Sequence, residues 1–139
     1  MDKLETLKHF AKRLDLRMKA VKIPSRPDGL GEDFDEGATH YLITLYKGDN
    51  PGNCKPITIF YSQGSAIKSK PEIDDILNCL AMDTLNIDQS FSDWCNEYGH
   101  SDDSMKAHSI YTACKNTEKQ MKQLFTLVEL TELYNCETL

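Results

Sequence analysis

No stretch of this 139-residue chain approaches the roughly 20 consecutive apolar residues that a membrane-spanning helix needs. The first residues, "MDKLETLKHFAKRLDL", are charged throughout and lack the apolar core of a secretory leader, so a cytoplasmic protein is expected. No CxxC occurs. The five cysteines stand alone at positions 54, 79, 95, 114 and 136, a spacing that supplies no zinc knuckle. Cys79, Cys95 and Cys114 fall on the apolar sides of expected helices, where a reduced thiol acts as a small hydrophobe. Glycine-rich phosphate loops and dinucleotide fingerprints are absent too. Nothing in the sequence asks for a cofactor, and no catalytic set can be assembled from it.

The most informative absence concerns charge. From Pro71 to Asp103 there is no Lys or Arg, against nine acids: Glu72, Asp74, Asp75, Asp83, Asp88, Asp93, Glu97, Asp102 and Asp103. Five more acids, Asp28, Glu32, Asp33, Asp35 and Glu36, face the single Arg26 in a Gly- and Pro-rich stretch. Residues 1–23 reverse the balance with seven cations and three acids, although the whole chain carries −6. Acids in first helical turns complement the helix dipole, which accounts for about half of the set. Solvated helix faces ordinarily mix both signs, so the missing cations point to a surface that repels nucleic acid and attracts the grooves that bind it.

What is present reads as one α+β domain over residues 1–139. Leu4, Leu7, Ala11, Leu14 and Met18 recur at helical spacing, which predicts a first helix over about 1–16. "RMKAVKI", "THYLITLYK" and "KPITIFYS" are rich in β-branched and aromatic residues and predict about three strands. These would form a small antiparallel sheet within 17–62, interrupted by an acidic loop over 24–38. A helical half over 69–139 should hold three helices on one face of the sheet. Ser69-Lys70-Pro71-Glu72 reads as a capping box for the first of them, Ser90 and Gly99 bracket the second, and "SDDS" opens the third. Whether 126–139 forms a helix of its own is left open, as is the oligomeric state, a homodimer included.

"YSQGSAIKSKP" joins the last strand to these helices. One glycine and a proline near the helix start make it a connector and cap rather than an anion cradle. His40, ahead of a strand, and His100, near Asp102, Asp103 and His108, mark where a small enzyme would have its site, but no partner set can be named. Lys8, Lys12, Arg13, Arg17 and Lys19 outline a basic edge, which would suit nucleic acid through residues 3–22.

Residues 37–125 carry "GATHYLITLYK", "TIFYSQGSAIKSKPEIDDILNCLAMD" and "FSDWCNEYGHSDDSMKAHSIYTACKNTEKQMKQL". Together these resemble a family of small phage and prophage proteins. The resemblance covers about two-thirds of the chain and leaves the N-terminal helix outside it. It implies a context, host-defence antagonism of the anti-CRISPR kind, and carries no activity over to particular residues. The expectation is a non-enzymatic inhibitor of a host nucleic-acid-binding complex, such as a CRISPR effector, acting by stoichiometric binding in the bacterial cytoplasm. Asp74, Asp75, Asp93, Glu97, Asp102 and Asp103 would meet the cationic partner, with Trp94 and Tyr98 in the core. A regulatory protein touching nucleic acid through the basic helix is the alternative, and an enzyme is the second.

Overall fold

The structure, a computed structural model, describes residues 2–25, 37–48 and 55–137. Most of the expected acidic loop lies outside these residues, as do Cys54 and the tip of the second hairpin. The chain opens with α1 (Lys3–Arg13), continues through β1 (Leu16–Ile23), β2 (Thr39–Lys47) and β3 (Ile57–Gln63), and closes with α2 (Ile73–Thr84), α3 (Phe91–Tyr98), α4 (Met105–Leu124) and α5 (Leu127–Glu137). This is the expected α+β order. The third expected helical stretch divides into α4 and α5, so 126–139 does hold a separate helix.

Asp2 starts α1 by accepting a hydrogen bond from the Glu5 amide at 2.8 Å. The helix ends because Asp15 turns left-handed, with φ 50°. Met18 therefore leaves the helical stripe and enters β1. Arg17 and Lys19 go with it, so the basic edge expected along one helix is split between a helix and a strand. The Gly48 amide donates to the Asp15 carbonyl at 2.8 Å, tying this turn to the end of β2. A Cβ on Gly48 would crowd the exposed side chains of Asp15 and Arg17, which would have to shift aside.

The sheet has the order β1-β2-β3, antiparallel throughout. Ile43 pairs with Ala20 on one side and Ile59 on the other, and Leu45 pairs with Met18 and Ile57. These alternate residues face the helices. Leu7, Phe10, Ile76, Leu77, Leu80, Met121, Leu124, Leu130 and Leu133 close over them to form the main core. A smaller core joins Ile87, Trp94, Cys95 and Ala107 where α3 packs on the start of α4. Trp94 is buried, as expected, but Tyr98, expected in the core beside it, remains 44% exposed at the last turn of α3.

The start of α2 corrects the sequence expectation. Its N-cap is Glu72, whose amide donates to Asp75 Oδ2 at 3.0 Å, and not Ser69. Proline holds its predecessor in extended backbone, so Lys70 cannot enter a helix ahead of Pro71. Ser69 instead offers its carbonyl to Gln63 Nε2 at 2.7 Å, which pins the connector to the end of β3. The α2 N-terminus is thus occupied by the chain's own carboxylates, in keeping with a connector and not an anion cradle. Ser90 caps α3, Ser104 caps α4, and Gly99 ends α3 with φ 73°.

Candidate functional site

The six carboxylates expected to share one surface divide into two groups. Asp74 and Asp75 sit in the first turn of α2, while the others lie beyond its C-terminal end. Twelve helical residues separate the two ends, which is about 18 Å. Asp74 is only 3% exposed, so it does not face a partner, contrary to the expectation. Its helix position points inward toward α1, where Lys8 approaches Oδ2 at 4.0 Å and Glu72 at 3.7 Å. Oδ1 of Asp74 is buried without a hydrogen bond. Asp75 is half-buried and committed to the α2 cap.

The other four carboxylates all lie within residues 93–103. Asp93 and Glu97 lie one turn apart on α3, and Asp102 and Asp103 follow in the bend before α4. All four are exposed, and none enters an ion pair among the described residues. They surround an aromatic knot. Trp94 stacks with His100 at 5.1 Å between ring centres, and Phe91 meets His108 edge-on at 5.3 Å. Burial, with the Asp102 carboxylate nearby, raises the Cys95 thiol above its ordinary value and keeps it protonated. His100 and His108 rest on rings, and among the described residues no three His, Cys, Asp or Glu converge to hold a metal ion.

A groove of about 530 Å³ opens beside this knot. Its floor is α2, through Cys79, Leu80 and Asp83. One wall is the outer edge of β3 and the other is α4 from His108 to Gln120. At the closed end the Lys55 amide donates to the Gln123 carbonyl at 3.0 Å, and the Thr58 amide to Gln120 Oε1 at 3.2 Å. Tyr61 lies against α2, where burial, Cys79 and Asp75 raise its phenol. Sequence reading missed this groove, because no motif marks it.

No protein family matches this chain, and neither a curated protein nor a solved structure does. Its own geometry has to carry the functional argument.

The two remaining candidate sites are simpler. His40 Nδ1 lies 2.7 Å from Ser62 Oγ, across a registered pair of β2 and β3. A base beside a hydroxyl is half of a nucleophilic site, but among the described residues no carboxylate hydrogen-bonds the other ring nitrogen to orient it. Three cations of the N-terminal segment pair with acids while staying more than half exposed: Lys8 with Glu72 and Asp74, Arg13 with Glu132, Arg17 with Asp15. No described helix is long and apolar enough to cross a membrane.

Proposed function

We propose that this protein acts by stoichiometric docking of an acidic surface onto a cationic, nucleic-acid-binding protein, in the manner of a phage-type antagonist of a host defence complex. One observation carries this: Asp93, Glu97, Asp102 and Asp103 form an exposed anionic group with no cation paired to it among the described residues. A negative patch on an aromatic-backed end steers association with a positive groove and competes with nucleic acid for it. A host defence complex is the setting proposed for this docking. Asp74 and Asp75 are left out of the docking set, since one is buried and the other caps a helix. A nucleic-acid contact through residues 3–22 is less well supported, because three of its cations already pair with acids of the same chain.

The test is the triple variant Glu97→Lys, Asp102→Lys, Asp103→Lys, which spares the first turn of α3. Its thermal midpoint should stay within about 4 °C of the parent, as suits substitutions that touch no packing. Tagged protein should retain basic nucleic-acid-binding proteins from bacterial lysate, releasing them on addition of heparin, and the variant should retain none. Equal retention by the variant, or release that heparin and salt do not affect, would overturn the docking function.

A further inference from the structure

We infer that the groove between β3 and α4 binds an extended peptide segment of a partner protein, added as a fourth strand to the edge of β3 and carrying a basic side chain toward Asp83. This goes beyond the acidic docking surface and involves different residues.

Alternation along a strand settles which backbone groups face the groove. The Thr58 amide points away from β2, since it donates to Gln120 Oε1. Two residues on, the amide and carbonyl of Phe60 point the same way, and Ser62 follows. Among the described residues no backbone hydrogen bond from a neighbouring element closes them. Gln120 thus plugs the first position of the edge and leaves the next ones open. An open edge is a template for another chain.

The opposite wall supports the same geometry. His108, Ser109, Thr112, Ala113, Asn116 and Thr117 form one continuous face of α4. Between His108 and Gln120 the helix rises about 18 Å, the length of about five extended residues. The volume of about 530 Å³ lies within the range of ligand clefts, roughly 300–1,000 Å³. A strand edge facing a helix across such a cleft is the arrangement that gives an added strand its main-chain hydrogen bonds and alternate side-chain pockets.

The charge of the occupant follows from the lining. Among the described residues Asp83 is its only carboxylate, and no Lys or Arg lines it. Asp83 is exposed, with the Cys79 thiol at 3.6 Å. A Lys or Arg at an inward position of the added strand would reach it, whereas an acidic peptide would meet only like charge.

A displayed library of random decapeptides, selected against the full chain, supplies the probe. Selected peptides should be rich in β-branched residues with Lys or Arg among them, and should shift the amide resonances of Phe60 and Ser62. N-methylation of alternate peptide bonds should abolish binding, because it removes the strand's donors. Asp83→Asn should weaken it about tenfold or more, the size of one lost charge-assisted contact. Thr112→Arg, at an exposed site on the α4 wall, should block the groove while leaving the melt and the heparin-sensitive retention by α3 intact. Failure to select any peptide would overturn the inference. So would binding that survives N-methylation, or that leaves the amides of 58–62 unmoved, as a compact small-molecule site would.

Discussion

Lys47 and Glu129 form the most enclosed ion pair among the described residues. Their side chains keep 8% and 15% exposure, with Nζ 2.8 Å from Oε1. The same oxygen accepts the Thr126 amide at 2.8 Å. Burial alone would raise the Glu129 carboxyl, but the hydrogen bonds from Lys47 and Thr126, with the Lys47 charge, hold it below its ordinary 4.5. A carboxyl depressed in the folded state adds stability above its unfolded pKa and loses it as pH falls through the folded value. Urea midpoints should therefore decline as pH drops below about 4.5. Glu129→Gln should remove that part of the decline and cost about 2 kcal/mol at neutral pH, because the buried Lys47 ammonium loses the carboxylate charge beside it. A variant that melts like the parent at both pH values would show the pair to be inert. Thr84 is another buried polar group with partners: its hydroxyl donates to the Leu80 carbonyl at 2.7 Å and meets the Tyr134 hydroxyl at 2.9 Å.

Two similar sequence patterns behave differently as helix starts. Ser69-Lys70-Pro71-Glu72 looks like a capping box and is not one, because Pro71 forces Lys70 out of helical backbone. Thr126-Leu127-Val128-Glu129 has the same T-x-x-E form, and its reciprocal bonds, at 2.8 and 3.2 Å, begin α5. Reading that pattern would have placed the α4–α5 boundary from sequence. Ser104 is a third case: it accepts the Ala107 amide at 3.1 Å and starts the 20-residue α4. Ser104→Ala should cost about 1 kcal/mol by urea denaturation, and Ser69→Ala less than about 0.5 kcal/mol. Equal losses would mean that Ser69 holds α2 in solution after all. The strands were legible for a simpler reason, since their segments are rich in β-branched and aromatic residues.

The molecule has two cores of unequal size, and the docking surface rides on the smaller. Phe91, Trp94 and Tyr111 hold α3 to the start of α4 through ring contacts of 5.3 to 6.2 Å, with Ile87 packed in the same cluster. Few residues link this cluster to the sheet, so it should open locally before the main core does. Trp94→Ala removes the centre of that cluster, a change that costs about 3–5 kcal/mol where the surroundings cannot collapse. Amide exchange in 91–98 should then accelerate strongly while Ile43 and Leu45 keep their protection. Matching acceleration at Ile43 and Leu45 would show a single cooperative unit. Retention of basic partners should fall in this variant even though all four acids remain, because the carboxylates lose the packed base that groups them.

Helical spacing, capping residues and strand alternation act over a few neighbouring positions, which is why the element order and most boundaries follow directly from the chain. The charge census is equally local: a run of 33 positions without a cation is visible before any folding. Burial is not local. Asp74 and Asp93 both stand in first helical turns, yet one is packed under α1 and the other lies open to solvent. The difference comes from which helix face meets α1, and packing angles set that. The groove beside β3 arises in the same way, from α4 diverging from a strand edge that lies more than 40 positions earlier in the chain.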